Sequence, residues 1–102
     1  MEMVKYLDER IESMIKRPLM WARELEALEL QFLCHLEFRH FALTGDKNAG
    51  RKLTTDWIKL GCVKFNDSRS NCYLTTILKD KGLGMEQMVE AMSEYWMRVK
   101  SV

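Results

Sequence analysis

Residues that break helices are scarce in this sequence. Only one proline, Pro18, and five glycines occur among its 102 residues. Because proline and glycine mark turns and interrupt helices, their scarcity favours a largely helical chain. No apolar run approaches the roughly 20 residues of a membrane-spanning helix, so we expect no membrane partner. The first ten residues carry too many charges to be typical of a signal peptide.

Cysteine is also infrequent. Cys34, Cys62 and Cys72 are an odd number and form no C-x-x-C pair. This pattern argues against a disulfide framework and against a structural zinc site. We therefore expect three free thiols in a cytoplasmic protein. A reactive thiol would need a cationic neighbour, and His35 projects about 100° away from Cys34 on a helix.

Motifs for catalysis or cofactor binding are absent. The sequence has no phosphate-binding or dinucleotide glycine pattern and no Gly-x-Ser-x-Gly motif. Its only histidines, His35 and His40, lie about 140° apart around a helix, which disfavours a shared metal. Glu37-x-x-His40 matches half of a di-iron site, with Glu26 and Glu29 on the same side, but the second half is missing. We therefore predict no catalytic residues, no metal and no cofactor.

Apolar residues recur with the 3.6-residue helical period along most of the chain. The pattern predicts an all-α fold, a single domain over residues 1–102 built as a compact four- or five-helix bundle around a long central helix. The predicted helices cover residues 2–17, 19–44, 56–65, 71–81 and 85–100. Gly61 weakens the third prediction, for which a short strand is the alternative.

The loops and the core follow from the same pattern. Residues 46–52 are predicted to form a polar loop, with Thr54 or Thr55 capping the third helix. Residues 66–71 are predicted to form a turn. The inward-facing positions predict this core: Leu7, Ile11, Leu25, Leu28, Phe32, Leu36, Trp57, Leu74, Ile77, Met88, Met92 and Trp96.

The predicted second helix, 19–44, is apolar on two sides. Polar seams separate the sides, one of them with Glu26, Glu29, Glu37 and His40. A helix of this kind must be covered on both sides, either by flanking helices of a monomer or by a partner. We predict that its second side is a protein interface, with a homodimer slightly favoured over a different partner. The candidate interface residues are Leu30, Leu33, Cys34, Phe38 and Phe41.

Positive charge is concentrated in the middle of the chain. Residues 47–81 carry eight basic and three acidic side chains, net +5, although the whole chain is only +1. Two short helices joined by a turn would loosely resemble a helix-turn-helix, with Thr75 among the exposed residues of the second helix. The candidate nucleic-acid contacts are Lys52, Lys59, Lys64, Arg69, Asn71 and Lys79.

The leading functional hypothesis is a non-catalytic domain that binds another protein, or a second copy of itself, as an adaptor, regulator or inhibitor. A nucleic-acid-binding regulator that uses residues 47–81 is the first alternative. A small enzyme with a site in a groove of the bundle is the second.

Overall fold

The described part of the chain is built from five α-helices. The computed structural model describes residues 2–18, 24–48, 50–69 and 71–101, and within these ranges it contains no strand. The helices are α1 (Glu2–Lys16), α2 (Leu25–Thr44), α3 (Gly50–Lys64), α4 (Leu74–Asp80) and α5 (Met85–Lys100). The prediction of an all-α bundle is therefore confirmed. Residues 19–23, the start of the predicted second helix, lie outside the described residues.

The longest helix, α2, occupies the centre of the bundle and contacts the other four helices. Packing is compact, with a radius of gyration of 13.2 Å, about the value expected for a folded chain of this length. No helix in the described part of the chain is long and apolar enough to cross a membrane.

Three aromatic side chains form the middle of the core. The ring of Phe32 on α2 packs edge-on against Trp57 of α3, with centroids 5.3 Å apart. Tyr95 of α5 completes the cluster at 5.5 Å from Trp57. Eleven of the twelve predicted core residues are buried, and the twelfth, Leu25, is half-buried against the core. The helical period therefore predicted most of the inward-facing positions correctly.

Charged contacts orient α1 and α5 on the bundle. The Arg39 guanidinium of α2 donates to Asp8 of α1 at 2.6 Å and stacks over the ring of Trp96, 5.1 Å from its centroid. Lys100 near the end of α5 donates to Glu12 of α1 at 2.7 Å. Because such partly exposed pairs contribute little to stability, they mainly fix the relative orientation of the helices.

In the described part of the chain, a residue with positive φ follows three of the helices. Gly45 follows α2 with φ 74°, and its N–H donates to the Phe41 carbonyl at 2.7 Å. Asn66 follows α3 with φ 51°, and Gly82 follows α4 with φ 69°. Glycine and asparagine tolerate this left-handed conformation, which ends a helix by satisfying its last carbonyls.

α3 begins earlier than predicted, at Gly50 rather than near Asp56. The predicted loop over 46–52 is wrong at its C-terminal end for this reason. Gly50 is buried against α2, where a Cβ would collide with the side chain of Glu37. Glycine at this position serves close helix packing, although in the sequence it is typical of a turn.

The helix prediction for 56–65 is confirmed, and the strand alternative is wrong. Thr54 and Thr55 lie inside α3, so neither is its cap, and the Thr55 hydroxyl donates to the Arg51 carbonyl within the helix. Gly61 is buried beneath α4, and a Cβ there would lie 3.2 Å from Leu74 Cδ1. Glycine has a low helix propensity, but the missing side chain at Gly61 allows α4 to pack closely against α3.

Removing core methyl groups from α2 or α4 should destabilise the fold. Leu28 and Ile77 are fully buried, so Leu28→Ala and Ile77→Ala should each lower the free energy of unfolding by about 2–5 kcal/mol. The matched control is Val63→Ala, at a side chain 82% exposed, with an expected change within about 0.5 kcal/mol. Urea melts measure all three, and losses below about 1 kcal/mol at both core positions would contradict the assigned core.

Candidate functional site

Glu29 of α2 is a buried carboxylate, only 1% exposed. One of its oxygens accepts hydrogen bonds from the Trp57 indole at 2.6 Å and from the Leu74 backbone N–H at 2.7 Å. The other oxygen accepts from the backbone N–H of Thr75 at 3.0 Å and from its hydroxyl at 2.6 Å. The carboxylate therefore caps the first turn of α4 from a neighbouring helix and holds α3 through the indole.

This cap corrects two predictions about the polar residues. Glu29 does not lie in a solvated seam, and Thr75 is buried rather than exposed. It also accounts for the start of α4 at Leu74 instead of residue 71, because the backbone donors of that turn meet the carboxylate there. In the described ranges, no three His, Cys, Asp or Glu side chains are arranged to hold a metal ion.

An apolar surface runs along the outer side of α2. We call it the α2 stripe and define it by four residues with spacings of four, four and three: Leu30, Cys34, Phe38 and Phe41. All four are exposed, and Phe38 is the most exposed at 62%. These spacings keep the side chains on one face of the helix. The stripe is thus an uncovered apolar surface in the described part of the protein.

Leu33, the fifth candidate interface residue, is a core residue instead, 7% exposed. It follows Glu29 by four residues and precedes Leu36 by three, and both of these are buried. Consecutive residues of a helix point about 100° apart, so Leu33, which precedes Cys34, points toward the core and not along the stripe. The prediction that Leu33 lies at a surface interface is therefore wrong.

His35 and Cys62 each donate a hydrogen bond to a backbone carbonyl. His35, next to Cys34 in sequence, donates from Nδ1 to the Gln31 carbonyl at 2.7 Å. Cys62 donates to the Arg69 carbonyl at 2.8 Å, and burial raises the pKa of this thiol. A catalytic cysteine requires the opposite shift, because the thiolate is the nucleophile.

A groove of about 730 Å³ lies between the C-terminal ends of α2 and α5 and the length of α3. Its apolar lining is Leu43, Leu53, Leu60, Val63, Tyr95 and Val99. Its charged and polar lining is Arg39, His40, Thr44, Lys52, Asp56, Lys59 and Arg98. The Tyr95 hydroxyl donates to the Leu53 carbonyl at 2.7 Å and so closes the floor between α5 and α3.

The sequence did not reveal this groove because three separate helices form it. The sequence contains only part of the signal: Lys52 and Lys59 are basic residues seven positions apart, on one side of a helix. The apolar residues that line the groove lie between positions 43 and 99 of the sequence, and only the packing of the helices brings them together.

Two of the six candidate nucleic-acid contacts are held in ion pairs within the chain. Lys64 donates to Glu90 at 3.1 Å and to Glu94 at 3.0 Å, and these hydrogen bonds raise its pKa. Arg69 donates to Asp67 and Asp80 at 2.6 Å each, and these carboxylates raise its pKa. Acidic neighbours therefore offset the positive potential at both positions.

The other four candidates do not form one surface. Lys52 and Lys59 line the groove, whereas Lys79 lines a smaller depression of about 160 Å³ with Glu26 and Leu30 of α2. Asn71 is exposed in the turn before α4. The structure thus gathers only the two α3 lysines.

Comparisons with family models, with curated proteins and with solved structures yielded no match to this chain. Two surfaces stand out among the described residues, the α2 stripe and the groove. The stripe is purely apolar, and the groove combines an apolar floor with a cationic rim.

Removing the Glu29 carboxylate should destabilise the protein strongly. Glu29→Ala leaves buried donors of three residues unpaired, and we expect a loss of about 3 kcal/mol or more in the free energy of unfolding. Glu29→Gln should also destabilise, because its amide N–H groups would face other donors. Glu26→Gln, an exposed change on the same helix, is the control. Urea melts in which Glu29→Gln and Glu26→Gln behave alike would refute the capping role.

Tyr95 should make stability depend on alkaline pH. Burial, with Asp56 nearby, raises the pKa of Tyr95 to about 12. Because this folded pKa lies above the unfolded value of about 10, the contribution is complete below pH ~10 and is lost as the pH rises toward ~12. Urea melts across this window should show the loss in the native sequence. Tyr95→Phe should lack this loss of stability. An identical pH profile for both proteins would exclude a contribution from Tyr95.

Proposed function

We propose that this protein is a non-catalytic protein-binding domain that uses the α2 stripe to pair with a second copy of the chain. The single observation that carries the proposal is the exposure of four apolar side chains on one face of α2, the central helix. Two of them, Phe38 and Phe41, are aromatic. Aromatic residues are enriched at the centres of protein interfaces, and leaving them in water is unfavourable. The domain would then act as an adaptor, a regulator or an inhibitor.

The spacing of the α2 stripe supports pairing with an identical helix. Around a midpoint near residue 36, Leu30 and Phe41 lie at nearly equal distances on either side, and so do Cys34 and Phe38. Two antiparallel α2 helices would therefore place Leu30 opposite Phe41 and Cys34 opposite Phe38 of the other copy. A two-fold interface requires this self-complementarity.

The opposite side of α2 is already occupied by the monomer core. Leu28, Phe32 and Leu36 are buried there. Dimer formation would therefore need no rearrangement of the core, and the monomer would remain folded when the contact is broken. This separation allows the interface to be tested without unfolding the chain.

Sedimentation equilibrium tests the proposed dimer. At micromolar concentration we expect twice the chain mass for the native sequence and for Met97→Glu. We expect the single-chain mass for Phe38→Glu, because the new carboxylate would lose its hydration in the interface. Met97 is a matched control, since its exposure of 62% equals that of Phe38 and it lies on α5.

Two results would overturn the dimer. One is a single-chain mass for the native sequence at all concentrations. The other is loss of helical circular dichroism in Phe38→Glu, which would assign Phe38 to the fold rather than to an interface.

Cys34 provides a second measurement in solution. In the antiparallel pair, the two Cys34 residues are offset by about 6 Å along the helix axes, within reach of a short bifunctional thiol reagent. With Cys62 and Cys72 replaced by serine, the reagent should produce covalent dimers, and Phe38→Glu should abolish them. Equal cross-linking in the Phe38→Glu protein would contradict the proposed register.

A further inference from the structure

The groove between α2, α3 and α5 lies on a different side of α2 from the stripe and has a different chemistry. We propose that it is a binding site for a small amphipathic carboxylate, a fatty acid whose alkyl chain lies on the apolar floor and whose carboxylate meets Lys52 and Lys59. This inference is independent of the proposed dimer. Its volume of about 730 Å³ is within the range of small-molecule sites.

The apolar part of the groove is open to solvent. Leu43 of α2 and Val63 of α3, on its walls, are exposed, although Leu60 between them is buried. Nothing in the described part of the chain covers these side chains. An occupant with a hydrocarbon portion would remove this surface from water, which is the main driving force for binding at apolar sites.

The charged part of the groove favours an anion. Lys52 and Lys59 are exposed, and no ion pair involves either of them among the described residues. Arg98 also lines the groove, and Glu94 is 3.4 Å from it. Asp56, the single acidic side chain of the described lining, lies one helical turn from each of these lysines and offsets part of their charge. The rim therefore carries a net positive charge beside an apolar floor, which complements a carboxylate joined to a hydrocarbon chain.

The dimensions of the walls favour an extended chain over a docked helix. α3 contributes residues 52–63, a length of about 16 Å at 1.5 Å per residue. α2 contributes only residues 39–44 and α5 only residues 95–99, less than two turns each. A partner helix of several turns would extend beyond these short walls. An extended dodecyl chain is comparable in length to the α3 wall, and it is much narrower than a helix, whose diameter with side chains is about 10 Å.

Calorimetric titration with dodecanoate, below its micelle concentration, tests the site. We expect one dodecanoate per chain. Dodecyltrimethylammonium, which has the same chain and the opposite charge, should bind at least about tenfold more weakly. The same stoichiometry should hold for Phe38→Glu, because the α2 stripe does not contribute to the groove. The titration of Phe38→Glu therefore distinguishes failure of the proposed fatty-acid site from failure of the proposed dimer.

Variants then assign the two ends of the ligand. Lys52→Gln with Lys59→Gln should raise the Kd for dodecanoate about tenfold, as expected for the loss of charge-assisted hydrogen bonds. The matched control, Lys5→Gln with Lys79→Gln, removes two exposed lysines outside the groove and should leave the Kd unchanged. Val63→Asp should weaken binding by a similar factor, and its 82% exposure lets the chain still fold.

Several results would overturn the assignment. These are equal affinity for the cationic and anionic probes, many molecules bound per chain in the manner of a detergent, and an unchanged Kd in the double groove variant. Binding of an acidic amphipathic peptide by the groove without binding of dodecanoate would also reject the proposal, and would assign the groove to a helical partner.

Discussion

The buried carboxylate of Glu29 is the interaction on which the arrangement of α2, α3 and α4 depends. An ionisable group removed from water is costly unless hydrogen bonds replace its hydration, and here four hydrogen bonds do so. α4 has only seven residues, too few for a stable helix in isolation. Its first turn forms against Glu29, and this contact places Leu74 and Ile77 in the core.

α2 combines three roles. Its inner side builds the core with Phe32 and Leu36, its outer side carries the α2 stripe, and its last turns form one wall of the groove. Because the α2 stripe and the groove residues of α2 lie on different sides of the helix, the two proposed binding surfaces need not compete. One surface suits an apolar helix, and the other suits an anion with a hydrocarbon chain.

The basic segment illustrates why charge counted along a sequence overstates the potential at a surface. Lys64 and Arg69 contribute to the net +5 of residues 47–81, yet acidic partners come from α4, α5 and the turn after α3. Lys52 and Lys59 have no such partners in the described chain and lie beside apolar side chains. The positive charge left for a ligand is therefore local, and it borders a groove rather than a broad face.

The sequence alone determined the helices and most of the core, because a 3.6-residue apolar period depends only on neighbouring residues. α5, predicted as 85–100, has those bounds in the structure, and eleven of twelve core predictions hold. Tertiary structure decided the rest. Gly50 lies in a helix that packs closely against α2, Leu33 is a core residue, and Glu29 accepts hydrogen bonds from donors 28 to 46 residues away. The groove likewise exists only where three helices converge, and no local sequence pattern indicates how far apart those helices lie.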